Sequence, residues 1–188
     1  MSATAQTGYF FMPEHIILVG ASERPHSLGE RIFSHLLGSS YQGKITPVNL
    51  RHSSVAGIPS YSSLSKIPGQ ADLVVAVIPP DHYDSLFKAC RKKDLRHIIL
   101  IQDWENLPPE SCKNARSIIQ KHHGDELNIS VCNSAGIQLP SLNLNISTQA
   151  DYPAGHIALL TGHSTVSRNI NHLLNTLHQG VSRHISLN

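Results

Sequence analysis

Small and polar residues follow an apolar run near the start of the chain, in the stretch ILVGASERPHSLG at 17–29. A strand that ends at Gly20 and leads into a helix near Leu28 offers backbone amides, hydroxyls and the positive end of the helix dipole, and such groups bind phosphate. The turn lacks the GxGxxG spacing of dinucleotide sites, and an ordinary strand-to-helix turn would use the same small residues. The candidate anion-binding residues are Gly20, Ala21, Ser22, Ser27 and Gly29.

The end of the second predicted strand carries Asn49, Arg51 and His52. Proteins that bind NAD place an Asp or Glu at this point to hold the ribose 2′-hydroxyl. A guanidinium instead favours a phosphate on the ribose, such as the 3′-phosphate of coenzyme A (CoA) or the 2′-phosphate of NADP. A solvated arginine after a strand is the alternative explanation of Arg51.

Two further strand ends carry residues suited to border a ligand. Ile78, Pro79 and Pro80 follow one strand, and Gln102 and Asp103 follow the next. The prolines either form a stiff wall against an adenine ring or simply end the strand. In open α/β sheets, ligands bind beyond the carboxyl ends of the strands, where the strand order reverses. We therefore predict that all four stretches converge on one crevice.

The elements that position these residues alternate between short β-branched runs and segments of helical periodicity. The predicted strands are 15–19, 44–48, 72–78, 97–101 and 129–132. Predicted helices start at Leu28, after a cap at Asp81, and at Pro108 or Pro109. This alternation predicts an α/β fold with a doubly wound parallel sheet.

The last third of the chain follows a different pattern. Residues 133–153 show neither helical nor strand periodicity and are predicted to form a boundary or linker. A strand at 157–160, a helix and a strand at 184–187 follow, and one such βαβ unit is too small to be a domain by itself. The predicted apolar face of the helix consists of Val166, Ile170, Leu173, Leu174 and Leu177.

Composition excludes several functional classes. The net charge is only +2, and no basic run is interleaved with aromatic residues, so we expect no nucleic-acid partner. No apolar stretch approaches the roughly 18 residues of a membrane span, so no membrane association is expected. Three scattered cysteines fit a reducing cytoplasm. The spacing of acids and histidines predicts neither a metal site nor a catalytic triad, and no catalytic residue is assigned.

The stretch from Ile17 to about Leu107 resembles the CoA-binding domain of the NDP-forming acyl-CoA synthetases, relatives of the succinyl-CoA synthetase alpha subunit. The matching phrases are VGASERPHSLGERI, YQGKITPVNLRHSSVAGIPSYSSLSKIP, ADLVVAVIPPD and HIILIQDW. The resemblance implies CoA or acyl-CoA as ligand, with phosphate contacts from 20–22. It also implies that Arg51 replaces a customary lysine, that Pro79 and Gln102 border the nucleotide, and that Asn133 matches the asparagine of a Gly-Pro-Asn-Cys-x-Gly motif.

The C-terminal stretch from Gly155 is similar to the opening strand, helix and strand of the second, succinyl-CoA-ligase-like domain of that family. The resemblance therefore implies a Rossmann-like CoA-binding domain at 1–135, a linker at 136–154 and part of a flavodoxin-like domain at 155–188. The family's phosphorylated histidine and ATP-grasp domain have no counterpart in the sequence, so it is not expected to complete the ligase reaction as given. An ATP-grasp or acetyltransferase domain or subunit is the implied partner.

Three alternatives stay open at this stage. The chain also resembles the synthetase-like region of protein lysine acetyltransferases, where CoA binding would be regulatory. Arg51 fits an NADP-dependent oxidoreductase equally well, although no Tyr-x-x-x-Lys motif occurs. A small sensor that binds CoA or an adenine nucleotide and signals through a partner surface is the third.

Overall fold

The computed structural model describes residues 10–124 and 126–188. Four helices occur in this part of the chain: α1 (Leu28–Gly38), α2 (Tyr83–Lys92), α3 (Pro109–His122) and α4 (Ser164–Thr176). The strands are β1 (His15–Val19), β2 (Lys44–Val48), β3 (Ser54–Val55), β4 (Ile58–Pro59), β5 (Leu73–Ala76), β6 (His97–Ile101), β7 (Asn128–Leu139), β8 (Leu144–Ile146), β9 (Ala154–Thr161) and β10 (Val181–Leu187).

Eight of these strands form one sheet in the order β2-β1-β5-β6-β7-β10-β9, with β8 paired to β7. The strands from β2 to β7 are mutually parallel, and β10 runs antiparallel to β7 and parallel to β9. From β1 the chain first adds β2 on one side and then β5 on the other. The strand order therefore reverses at β1, and the crevice at such a point is where open α/β sheets bind ligands.

The sheet is covered on both faces, as the predicted α/β fold requires. Successive residues of a strand point to opposite faces, so Ile17 packs with residues of α2 and α3. Its neighbours Ile16 and Leu18 pack with residues of α1. Buried apolar residues therefore lie on both sides of the parallel strands, and the Rossmann-like doubly wound architecture is confirmed.

The segment expected as a linker at 136–154 is instead part of the sheet. Strand β7 continues to Leu139, and β8 pairs with its last three residues. Gly136 adopts a φ of +52°, and a Cβ there would overlap the carbonyl oxygen of Ile146. The expectation of an irregular segment is wrong for these two strands, because Asn, Ser and Gly hide the strand pattern, although Ile137, Leu139, Leu144 and Ile146 are buried.

Residues 155–188 continue the same sheet, because β10 pairs with β7. The division into a first domain at 1–135 and a second at 155–188 stays a prediction. Within the described residues, no helix is both long and apolar enough to cross a membrane.

The helix of this last unit, α4, does not bury its apolar residues as predicted. Of the expected face, only Leu174 is buried, whereas Val166, Leu173 and Leu177 are about half exposed. The side of the helix that meets the sheet carries polar groups instead: Ser167 Oγ lies 2.6 Å from Thr161 Oγ1 and 3.2 Å from Ser186 Oγ. Hydrogen bonds with the sheet therefore decide how α4 is oriented, and periodicity alone does not reveal them.

Candidate functional site

The four predicted loops lie together at one edge of the sheet. Strands β2, β1, β5 and β6 are parallel neighbours, so their carboxyl ends share this edge. The chain leaves them at Gly20, Asn49, Val77 and Gln102. The predicted convergence of these loops is confirmed, whereas their contacts with a ligand stay a prediction.

The loop after β1 is built around Gly20. Its φ is +93°, and a Cβ would collide with the carbonyl oxygen of Val77 in the loop after β5. The amide of Gly20 donates to the Val48 carbonyl at the end of β2 over 3.1 Å. Only glycine fits between these two loops, because any side chain would enter backbone atoms and would also strain a positive φ.

Helix α1 begins directly against this loop. The Ser27 side chain caps the helix by accepting a hydrogen bond from the Glu30 amide over 3.2 Å. Gly29 is buried, and a Cβ there would overlap the carbonyl oxygen of Gly20. Gly29 thus allows α1 to pack closely on the loop, and the partly positive N-terminus of α1 lies beside the loop, where it favours an anion.

Asn49 fastens the loop after β2 to the loop after β1. Its Nδ2 donates to the Ala21 carbonyl over 2.8 Å. Its Oδ1 accepts from the amides of Arg51 at 2.8 Å and His52 at 3.1 Å. One half-buried amide side chain thus sets the path of the backbone that carries Arg51.

Two guanidinium groups on the loops at this edge are without a partner among residues 10–124 and 126–188. Arg24 and Arg51 are exposed, and neither guanidinium forms a hydrogen bond or ion pair with any described residue. The acid of the first loop, Glu23, is turned towards the β3–β4 hairpin, where its carboxylate accepts from the Ala56 amide. The loops therefore combine two free cations with a glycine-lined turn and a helix N-terminus, a set that fits a ligand bearing several phosphates.

The other side of the crevice is formed by the loops after β5 and β6. Gln102 Nε2 lies 3.5 Å from the Ile78 carbonyl, and Gln102 Oε1 accepts from the Asp103 amide over 3.0 Å. Pro79 is exposed, and Pro80 is buried at the start of a 3₁₀ turn that ends before α2. The predicted cap by Asp81 is wrong: that residue lies inside the turn, and α2 has no side-chain cap.

Asn133 is a predicted site residue whose polar side chain is enclosed by the protein. It lies within β7 and is 4% exposed. Its Nδ2 donates to the Leu187 carbonyl over 3.2 Å, and its Oδ1 accepts from the Ala135 amide over 2.9 Å. The amide nitrogen thus joins β7 to β10, the amide oxygen bonds within β7, and a ligand contact by Asn133 stays a prediction.

The sequence profile of the CoA-binding domain matches residues 14–138, which include all four loops. The chain belongs to this family. This chain is 30% identical over 155 residues to the alpha subunit of ADP-forming acetate–CoA ligase II from Pyrococcus furiosus. That match covers 81% of this chain and 34% of the ligase subunit.

An ADP-forming acetate–CoA ligase from Methanocaldococcus jannaschii is 24% identical, with 95% of this chain and 25% of the ligase covered. The chain thus spans about a third or less of the curated relatives it matches.

Solved structures give the same fold. The protein PH0766 from Pyrococcus horikoshii OT3 superposes with a TM-score of 0.80 and 26% identity, over 95% of this chain and 41% of its own length. The dinucleotide-forming acetyl-coenzyme A synthetase 1 of Candidatus Korarchaeum cryptofilum, solved with phosphate and ADP, also has a TM-score of 0.80, at 20% identity. It covers 96% of this chain and 39% of its own length.

Sequence reasoning missed one contact beside the CoA-binding domain's crevice. Glu105, two residues beyond Asp103, places Oε1 3.3 Å from Ser164 Oγ and 3.3 Å from His163 Nδ1 at the start of α4. The indole of Trp104 donates to the Cys132 carbonyl over 2.9 Å and fixes the same loop. Nothing local in the sequence marks the contact of Glu105 with α4, because it joins residues 59 positions apart.

Exchanging Asn49 for aspartate is expected to loosen the first and second loops. Aspartate keeps the acceptor for the two amides but replaces the donor to the Ala21 carbonyl with an oxygen, which costs about 1–3 kcal/mol of unfolding free energy. Chemical denaturation measures the loss. Asn114→Asp, on an exposed position of α3, is the matched control. Equal free energies of unfolding for the two variants would contradict the role of Asn49.

Proposed function

We propose that the CoA-binding domain holds CoA or acyl-CoA across the carboxyl edge of the sheet, between the loops after β1 and β5. The observation that carries this proposal is the packing of Gly29 against the Gly20 carbonyl. It places the N-terminus of α1 beside a turn without side-chain bulk, at the point where the strand order reverses. The match to the family supports CoA as the ligand.

The predicted site residues divide into binding and positioning groups. The backbone amides of Ala21 and Ser22 and the Ser22 hydroxyl bind the diphosphate in this proposal, and Gly20, whose amide is bonded to the Val48 carbonyl, allows the close approach of the ligand. Arg51, whose guanidinium has no partner in the described part of the chain, binds the 3′-phosphate. Ser27, Gly29 and Asn49 position these groups through the contacts described above. The wall on the other side consists of Ile78, Pro79, Pro80 and Gln102.

We further infer that the chain supplies the CoA-binding part of an ADP-forming acyl-CoA ligase. The relatives that carry that name support this inference. CoA contributes the thiol that accepts the acyl group, and this chain's residues hold its nucleotide. The remaining steps would fall to an ATP-grasp domain or subunit, or CoA would serve a regulatory role beside an acetyltransferase domain. The three free cysteines fit a reducing cytoplasm.

Titration calorimetry with CoA and dephospho-CoA tests the assignment. Arg51→Glu is expected to weaken CoA binding at least tenfold and to change dephospho-CoA binding far less, because only CoA carries the 3′-phosphate. A charge-assisted hydrogen bond of about 1.5–3 kcal/mol corresponds to this loss.

The matched control is Arg116→Glu, which makes the same charge change at an exposed position of α3. It should leave both affinities unchanged. Equal losses for CoA and dephospho-CoA in Arg51→Glu would refute the contact. If the chain bound NADPH, as measured by NADPH fluorescence, and did not bind CoA, the assignment of CoA as the ligand would be refuted.

A further inference from the structure

The loop after β1 carries an acid beside its cation. Glu23 precedes Arg24, and a carboxylate at this point opposes the binding of a phosphate because like charges repel. The carboxylate has a partner in another loop, however, since it accepts a hydrogen bond from the Ala56 amide in the β3–β4 hairpin. A hydrogen bond to an ionised group is stronger than a neutral one. Glu23 therefore joins two loops of the candidate site firmly.

Arg51 lies on an excursion of the chain that leaves β2 and returns beside it. The Asn49 amide donates to the Tyr61 carbonyl over 3.0 Å, so residues 50–60 form a loop that is closed at its base. The tip of this loop is the β3–β4 hairpin, whose Val55 is fully buried. The stretch around Arg51 is exposed and lies between the base and the tip.

Two side-chain hydrogen bonds fasten this excursion to the loop after β1, one on each side of Arg51. At the base, Asn49 Nδ2 donates to the Ala21 carbonyl over 2.8 Å. At the tip, the Ala56 amide donates to the Glu23 carboxylate. Because Arg51 lies between Asn49 and Ala56 in the chain, the two bonds limit where its backbone can lie relative to the candidate phosphate-binding turn.

The position of this backbone matters because the side chain of Arg51 is not held by the protein. Its guanidinium has no partner among the described residues, so the backbone alone brings it near a ligand. A loop that is ordered before binding loses less conformational entropy when the ligand binds. The affinity gained in this way goes only to ligands that carry the phosphate bound by Arg51.

We propose that Glu23 is a positioning residue that makes the site prefer a ribose 3′-phosphate. It acts through Arg51, by holding the β3–β4 hairpin against the loop after β1, and it does not contact the ligand itself. This inference rests on the proposed binding of CoA. It adds that the preference for the 3′-phosphate depends on an acid, although an acid by its charge alone would weaken the binding of an anion.

Titration calorimetry of the full chain with CoA and dephospho-CoA measures this preference as the ratio of the two association constants. Glu23→Gln and Glu23→Ala both remove the negative charge, but only glutamine keeps an oxygen that can accept from the Ala56 amide. The ratio should fall about fivefold in Glu23→Ala relative to Glu23→Gln, which is the effect of one net hydrogen bond.

The matched control is Glu126→Ala, which removes an exposed acid just before the amino end of β7, at the opposite edge of the sheet. Its ratio should equal that of the wild type. A general loss of stability would lower both affinities and leave the ratio unchanged, so the ratio separates positioning from stability.

A double-mutant cycle with Arg51→Gln determines whether Glu23 acts through the guanidinium. In the Arg51→Gln background, Glu23→Ala and Glu23→Gln should give the same ratio, because no guanidinium remains to be positioned. A fall in the ratio that persists in this background would overturn the inference. So would equal ratios for Glu23→Ala and Glu23→Gln when Arg51 is present.

The wild type separates this inference from the proposed function. A wild type that binds neither CoA nor dephospho-CoA would contradict the proposed function as a whole. Equal binding of the two ligands would leave CoA as the ligand but would remove the 3′-phosphate contact of Arg51, and with it the role of Glu23. A wild type that prefers CoA, together with a Glu23→Ala variant that keeps this preference, would overturn the role of Glu23 alone.

Discussion

Gly29→Ala is expected to lower the free energy of unfolding of the domain by about 2–3 kcal/mol, because one methyl group enters the carbonyl of Gly20. The neighbouring atoms are backbone, so relief requires α1 to move away from the loop after β1. That movement also opens the proposed phosphate cradle, and CoA affinity should fall at least tenfold. Chemical denaturation and calorimetry measure the two effects.

The same helix supplies the control. Gly38 is the last residue of α1, and a Cβ there would meet nothing within 4 Å. Gly38→Ala should therefore be neutral or stabilising by up to about 1 kcal/mol, since alanine restricts the unfolded chain and favours the helix. Two glycines of one helix thus respond with opposite signs. A common loss in both variants would show that propensity, rather than the contact with Gly20, governs the result.

The free energy of unfolding should fall by about 3 kcal/mol as the pH drops from 6.5 to 4, because His184 takes up a proton more readily in the unfolded chain than in the fold. The side chain is fully buried between α4 and the sheet. Its Nε2 lies 3.2 Å from Thr161 Oγ1 and 3.2 Å from Ser167 Oγ, and its Nδ1 has no partner among the described residues. Burial lowers the pKa of His184 to about 4.

The sign follows from the proton count. In the unfolded chain, His184 binds a proton near its ordinary pKa of 6.5, whereas in the fold it does so only near 4. Between these values the unfolded state binds more protons, so stability is complete above pH 6.5 and declines towards pH 4. The ring contacts Thr161, Ser167 and Tyr152, none of which is charged in this range.

Urea denaturation of the wild type and of His184→Phe across this pH range measures the effect. Phenylalanine cannot take up the proton, so the unfolding free energy of the variant should lose most of its dependence on pH. The lost hydrogen bond should lower that free energy by the same amount at every pH. His172→Phe, at an exposed position of α4, should keep the wild-type slope. His15 also has a pKa lowered mainly by burial and supplies a residual slope of the same sign. An unchanged slope in His184→Phe would refute the assignment.

The parts of the fold that depend on local pattern could be predicted. Strands β1, β2 and β6 have the predicted bounds, and α1 begins at Leu28 after the Ser27 cap. β-branched runs and a capping serine act over a few residues, so the amino acids themselves specify these elements. Neighbouring parallel strands bring their carboxyl ends to one edge of the sheet, which is why the shared position of the four loops could be predicted.

The sequence by itself determined the parallel core, its connecting helices and the four loops of the candidate site, since hydrophobic period, caps and turns are local properties. Only the tertiary structure decided the remainder. Three features depend on partners far away in the chain: the extension of β7 past Asn133, the contact of Glu105 with α4, and the exposure of Leu173 on α4. The burial of a side chain, or its hydrogen bond with a distant residue, produces no periodic pattern in the sequence, because tertiary packing rather than local propensity determines it.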